Sequence, residues 1–271
     1  MNYKNYIRRH PVSSYFQITF AISWLGAFII AAPKLFRGQP IPKMDGILMF
    51  PIMLAGPVGA SIILTSFTEG KSGLRNIWTR MGKWKVPVRW YIPVLILPPC
   101  LIMLVLFFLK NFISPAFTAN SFYFGFLFGV PAGFFEEIGW TGYALPKMRQ
   151  KLNFVQAGVT LGLFWGLWHL PVIDFLGAAS PHGKYLFLFF LAFTGILTAM
   201  RVLIAWVYSN TGSILLAQLM HAVSTGSLAM LGPAPLSPGK ETLWYASYAV
   251  LLWITVLIIV TIRSRKKTDA H

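Results

Sequence analysis

Long apolar stretches recur along the 271-residue chain and constrain its fold more than any other feature. A helix needs about 20 mostly apolar residues to cross the hydrocarbon core of a bilayer. Eight stretches approach that length, at 14–32, 46–66, 90–109, 122–144, 155–175, 185–207, 211–231 and 243–262. With only short connections between them, they predict an all-α polytopic membrane protein with a single transmembrane domain over 1–271. We expect a bundle of about eight transmembrane helices that encloses an intramembrane polar cavity.

Basic residues, which give the chain a net charge of +16, are distributed unevenly between its loops. They crowd segments 4–9, 71–89, 147–151 and 263–267, which lie on one side if successive spans alternate in direction. Loops rich in Lys and Arg remain in the cytoplasm. The pattern predicts a multi-pass protein of the plasma membrane with both termini cytoplasmic. It assigns the positive charge to contact with the lipid bilayer and not to nucleic acid.

Two of the seven acidic residues, Glu136 and Glu137, stand side by side within the fourth apolar stretch. A charged side chain at the centre of a bilayer costs about 2.5–3.5 kcal/mol on insertion scales, so intramembrane acids usually face a protein interior and serve a function. Adjacent residues of a helix point about 100° apart. We therefore expect one carboxylate to face a cavity and the other to contact a neighbouring helix.

Two histidines occupy similar apolar surroundings, His169 at the end of the fifth stretch and His221 within the seventh. A lone intramembrane histidine often serves only as a hydrogen bond between helices. Two of them with an acid pair indicate chemistry, because an imidazole can share a water with a carboxylate, donate to an oxyanion or ligate a metal. Thr225 follows His221 by one helical turn, so its hydroxyl, or that of the neighbouring Ser224, is a candidate donor.

Three other polar residues are left out of the predicted site. Asp174 and His182 are assigned to a loop. Arg201 is placed near the inner end of the sixth stretch, where a long side chain can extend to the aqueous surface.

The segments around the acid pair and the two histidines resemble the CPBP family of intramembrane proteases, which includes the CAAX prenyl endopeptidases and the bacterial Abi proteins. The family pattern is a Glu-Glu pair followed four residues after its second Glu by Arg, an aromatic residue four before a His, and a His four before Asn. The resemblance covers about 121–231, and the segments 166–171 and 207–213 also look like the bacterial branch. The matching positions are Glu136, Glu137 and Thr141, then Trp165 and His169, then His221 and Thr225.

The resemblance implies an intramembrane endopeptidase that hydrolyses a peptide bond of a membrane-associated protein or peptide. Glu136 would activate the attacking water with the help of His169. His221 and Thr225 would stabilise the oxyanion of the tetrahedral intermediate. Glu137 would support the site structurally.

Two positions depart from the family pattern. Thr141 stands where the family usually has Arg, so Glu137 is expected to be protonated or to meet a distant cation such as Arg149. Thr225 stands where Asn is usual, and a hydroxyl is a shorter donor than a carboxamide. Both departures leave open a second interpretation, a catalytically weak or silent membrane binding protein or bacteriocin-immunity protein on the same scaffold.

A proton-coupled transporter that uses the acid pair as a relay is a further alternative, although the hydropathy pattern shows no inverted repeat. The favoured mechanism requires no cofactor. A divalent metal such as zinc stays open, because two histidines and a glutamate could ligate one although the spans contain no His-Glu-x-x-His motif. The oligomeric state and the identity of the substrate are not predicted.

Overall fold

The structure is a computed structural model that describes residues 3–268, with the side chains of residues 5–265. Lys4, Lys266 and Lys267, which contribute to the predicted cytoplasmic termini, lie outside the described side chains. The described residues are mainly helical and form no β-strand, which confirms the predicted all-α fold. The helices are α1 (Tyr3–Arg9), α2 (Pro11–Leu35), α3 (Lys43–Thr68), α4 (Gly70–Met81), α5 (Tyr91–Leu95), α6 (Leu97–Phe112), α7 (Phe126–Pro131), α8 (Glu137–Gly139), α9 (Leu145–Met148), α10 (Phe154–Trp168), α11 (Leu186–Thr211), α12 (Ile214–Leu231) and α13 (Pro238–Thr268).

Six helical segments are long and apolar enough to cross a membrane, so the chain is a polytopic membrane protein as predicted. Several of them extend beyond the predicted ends; α11, for example, continues to Thr211 where the sequence predicted an end at 207. The six segments are Pro11–Leu35, Lys43–Thr68, Val88–Phe112, Gly183–Thr211, Ile214–Leu231 and Pro238–Arg265.

The other two predicted spans take forms that their apolar sequence does not reveal. The fifth, predicted at 155–175, is the 15-residue helix α10 followed by a 3₁₀ turn over Leu170–Phe175. The fourth is a continuous helical run over 123–148 in which α7, α8 and α9 are separated by π-helical turns at Ala132–Glu136 and Trp140–Ala144. Such π-turns are rare and often occur at functional sites. Here they flank Glu137.

Two series of glycines allow the helices around the acid pair to approach closely. Gly129 and Gly133 on the run 123–148 face the backbone of α12 near Ala222. Gly158, Gly162 and Gly166 on α10 face α11 in the same way. None of these positions has room for a β-carbon without displacement of the partner helix. Small residues at intervals of four are the usual means of close helix packing in membranes, and here they bring α10, α11 and α12 next to the acid pair.

The basic segment between the second and third spans forms the amphipathic helix α4. Its Ile77 and Met81 are buried and pack against Ile138 and Ile214, while Trp78 is exposed. The polar face of α4 is also attached to the bundle, because Arg80 donates to the hydroxyl of Tyr208 at 2.6 Å. Helix α4 therefore packs directly against the segment that carries the acid pair.

Candidate active site

Glu136 lies at the end of the first π-turn, about halfway along the run 123–148, and its side chain is buried. The indole N–H of Trp140 donates to its Oε2 at 3.0 Å, and that of Trp165 donates to the same oxygen at 2.7 Å. Trp140 is one turn along the same run and Trp165 comes from α10. Two indole donors at one oxygen fix the carboxyl group firmly between the two helices.

Glu137 turns to a different set of partners. The Nη1 of Arg201, on α11, lies 2.8 Å from both of its carboxylate oxygens. The Nδ1 of His221, on α12, lies 2.8 Å from Oε1, and the hydroxyl of Thr141 donates to Oε2. Glu137 and Arg201 are both fully buried. The two acids of the pair thus bind different helices, as their angular separation predicts, although both carboxylates are buried.

The hydrogen bonds of the two histidines determine where their ring protons lie. Oε1 of an ionised Glu137 can only accept, so Nδ1 of His221 carries a hydrogen and donates it. Nδ1 of His169 lies 2.8 Å from the carbonyl oxygen of Trp165, which also only accepts. In both rings the second nitrogen, Nε2, is then the atom that remains for substrate or water.

The indole of Trp165 connects these groups. Its ring lies 4.9 Å from the ring of His221 and 5.8 Å from that of His169, measured between centroids. The guanidinium carbon of Arg201 lies 4.1 Å above the same ring, a favourable cation–π contact. Because the indole N–H also binds Glu136, this one side chain contacts Glu136, both histidines and Arg201.

Most of the sequence-predicted residues are therefore brought together. With the predicted bounds, Glu136 lies nearer the inner end of the span 122–144 and His169 nearer the outer end of the span 155–175. The helical run continues to Met148, which puts Glu136 near its middle, and α10 ends at Trp168, which puts His169 at its C-terminal cap one turn beyond Trp165. Thr225 follows His221 by one turn on α12 and is partly exposed, and its proposed role remains a prediction.

Arg201 is the residue that the sequence interpretation misplaced. It does not extend to the membrane surface but is fully buried against Glu137 and Trp165. Arg149, the predicted countercharge, instead donates to the carbonyl oxygen of Leu152 at 2.6 Å. The sequence carried a usable signal, because an arginine inside an apolar span is as costly as a glutamate and needs a partner.

Asp174 and His182, also excluded, are not a simple loop pair. His182 is fully buried, with Nδ1 2.9 Å from Asp174 and Nε2 3.5 Å from Glu241. This second cluster lies where α11 and α13 begin and does not include any residue of the predicted site.

The donor set does not form a preformed metal site. Within residues 3–268, no three His, Cys, Asp or Glu side chains are arranged so that they could hold a metal ion. Glu136 is instead bound by indole N–H groups, which are donors and not metal ligands.

Comparison with known proteins finds similarity over the region that carries these residues. The profile of the family described as type II CAAX prenyl endopeptidase Rce1-like matches residues 118–226, which include the acid pair and both histidines. CAAX prenyl protease 2 of Methanococcus maripaludis is 26% identical over 230 residues, which cover 77% of this chain and 79% of the relative. The chain is similar to CAAX proteases over these residues. The resemblance that the three sequence segments indicated is thereby confirmed, and with it the general class of intramembrane endopeptidase.

Proposed function

We propose that this protein hydrolyses a peptide bond of a membrane-associated protein or peptide, with Glu136 as the base that activates water. The observation that carries the proposal is the convergence of Glu136, His169 and His221 on the indole of Trp165 within the bundle. The name of the archaeal relative makes prenylated CAAX peptides the first substrate class to test.

Glu136 is suited to accept a proton from water. Both indole N–H groups bind Oε2, so Oε1 is the oxygen available to a water molecule. As that water attacks the scissile carbonyl carbon, its proton passes to Oε1 and the carbonyl oxygen becomes an oxyanion. When the C–N bond breaks, the same proton passes to the leaving nitrogen. The products are a carboxylic acid and an amine, and Glu136 returns to its starting state.

The histidines complete this scheme through their Nε2 atoms. His169 is held by the Trp165 carbonyl, so its Nε2 can position the attacking water beside Glu136. His221 is held by Glu137, and its Nε2 donates to the oxyanion when both ring nitrogens carry a hydrogen. Thr225 is the second donor in this proposal. Loss of one oxyanion donor typically lowers the rate on the order of 100- to 1000-fold.

The direct test is cleavage of a fluorogenic farnesylated CAAX peptide by the purified full chain in proteoliposomes. Glu136→Ala and His169→Ala are expected to lower the initial rate at least about 100-fold while the protein still inserts and unfolds cooperatively. Glu69→Gln and His10→Ala are matched controls, since these residues lie outside the site, and they should cleave at the rate of the original protein. Retained cleavage in folded Glu136→Ala would exclude Glu136 as the base.

Mass spectrometry of membrane peptides from cells that carry the original protein or Glu136→Gln widens the search beyond prenylated substrates. Peptides that accumulate only in the variant identify the substrate. A silent binding or immunity protein predicts instead that the cellular phenotype survives Glu136→Gln. Cleavage should also persist after exhaustive chelation, and loss that one specific metal restores would replace the metal-free scheme.

A further inference from the structure

We propose that Arg201 supplies, from α11, the positive charge that the family pattern places four residues after its second glutamate, and that it acts as a positioning residue for Glu137 and His221. The inference rests on the proposed function in so far as it concerns catalysis. It explains how a chain with Thr141 at the usual arginine position can keep its site in order.

Position 141 faces the same carboxylate that Arg201 binds. The hydroxyl of Thr141 donates to Oε2 of Glu137, as expected for residues one turn apart on a helix. An arginine at 141 would therefore extend to this carboxylate from within its own helix. In this chain the guanidinium comes instead from a different helix, α11, and binds both oxygens of the same carboxylate.

The contacts of Arg201 indicate that its ion pair with Glu137 holds the guanidinium in place. Its Nη1 binds both oxygens of Glu137, and its flat face covers Trp165. Its Nε and Nη2 are buried without a hydrogen-bond partner among the described residues. A buried arginine with unused donors is costly unless a carboxylate compensates its charge. Glu137 is the carboxylate within salt-bridge distance of it.

The consequence for the site passes from Glu137 to His221. A carboxylate held by Arg201 and Thr141 presents Oε1 to Nδ1 of His221, and this bond keeps the hydrogen on Nδ1. Without the guanidinium, the buried carboxylate of Glu137 would lose its salt-bridge partner, and Glu137 would take up a proton. A protonated carboxyl can donate as well as accept, so His221 would lose its fixed tautomer. Partners that orient a reactive histidine typically change activity 10- to 100-fold.

The test moves the positive charge from position 201 to position 141, where the family pattern has an arginine. Arg201→Ala should lower cleavage about 100-fold. Arg201→Ala combined with Thr141→Arg should recover at least about tenfold of that loss, because the new guanidinium can fill the vacated space. Thr141→Arg alone should not improve cleavage, since it places a second cation beside Arg201 in a fully buried site. Arg149→Met is the matched control, because Arg149 binds a backbone carbonyl away from Glu137, and it should keep the original rate within about twofold.

A second readout does not depend on cleavage. Nitrogen NMR of the full chain labelled at histidine should show a hydrogen-bonded Nδ1–H resonance that is lost in His221→Gln and is thereby assigned. This resonance should disappear in Arg201→Ala, return with Thr141→Arg, and persist in Arg149→Met. If no peptide is cleaved by any form but the resonance follows this pattern, the proposed function fails and the role of Arg201 stands.

Two results would overturn the inference. One is a folded Arg201→Ala protein that keeps both the His221 resonance and the cleavage rate. The other is a folded double variant that recovers neither. If Arg201→Ala does not fold, Arg201→Lys carries the test, because a lysine should keep the ion pair and the resonance while it loses the contact with the Trp165 face.

Discussion

Two buried glutamates each lie beside a buried histidine in this protein, yet their surroundings differ in kind. Glu137 is bound by side chains from three parts of the chain: Arg201, His221 and Thr141. Glu241, in the first turn of α13, accepts instead from the backbone N–H groups of residues 178 and 179, each at 2.7 Å. Glu137 links helices through their side chains. Glu241 instead holds a loop through the backbone N–H groups of that loop.

The surroundings of Glu241 show how that loop is held. Gly177, with a φ of +81°, lies so close to the Glu241 carboxylate that a β-carbon would collide with it. Asp174 accepts from the backbone N–H of His182 at 2.8 Å and contacts the imidazole of the same residue. The ring of His182 stacks on Phe189 with centroids 3.8 Å apart. These contacts tie the segment between α10 and α11 to α13, and no contact of this cluster reaches Glu136 or His221 in the described part of the chain.

Burial and a nearby histidine therefore do not by themselves mark an active site. What separates the two clusters is whether the partners of the carboxylate are groups that can act on a substrate. Glu137 orients His221, whose Nε2 remains available, whereas Glu241 is occupied by backbone amides. Matched Glu→Gln changes at positions 137 and 241 test this distinction.

The largest expected difference is in catalysis. Glu137→Gln should lower the rate of peptide cleavage about 100-fold, because an uncharged amide fixes His221 less well. Glu241→Gln should keep the rate within about threefold. The measurement is the initial rate per folded molecule in proteoliposomes for both variants. Equal losses in two folded variants would show that the clusters are not functionally distinct.

A smaller difference is expected in stability. Glu137→Gln leaves the charge of Arg201 buried and uncompensated, which typically costs about 3–5 kcal/mol. Glu241→Gln leaves one backbone N–H without an acceptor, which costs about 1–3 kcal/mol. Denaturant unfolding in mixed micelles measures both values.

A double variant separates the two effects of Glu137. Glu137→Gln combined with Arg201→Met removes both charges, so part of the lost stability should return. Cleavage should not recover, because the uncharged amide at position 137 still fixes His221 less well. If stability stays as low as in Glu137→Gln alone, the uncompensated charge is not the cause of the loss.

The contrast between the clusters also marks what the sequence could predict. Apolar spans and the functional importance of Glu136 and Glu137 follow from the high cost of charge in a bilayer, which is a local property. The role of Arg201 was missed because the predicted end of its span, at 207, was one turn short of Thr211 and put the residue too near the surface. An error of this size, about 6 Å along the helix axis, is enough to change the prediction from a buried arginine to one that extends to water.

Other features depend on contacts between distant segments, which no local pattern contains. The π-turns on either side of Glu137 arise from a run whose composition is that of an ordinary apolar helix. The second cluster joins Asp174, His182 and Glu241, which are separated by up to 67 positions in the numbering and by the whole of α11 and α12. They meet because the loop between α10 and α11 packs against the start of α13.

The smallest expected effect concerns the motion of that loop. In Glu241→Gln the amide nitrogen of the new side chain cannot accept, so the N–H of Ala178 or Ala179 loses its partner. Hydrogen–deuterium exchange of the peptide that covers 176–185 should then accelerate about tenfold, as expected for the loss of one hydrogen bond to a charged group. Glu137→Gln should leave this peptide unchanged, since its partners lie on the run 123–148, α11 and α12. Faster exchange in both variants would mean that the two carboxylates hold one cooperative unit, and the distinction between a reactive cluster and a loop fastening would then fail.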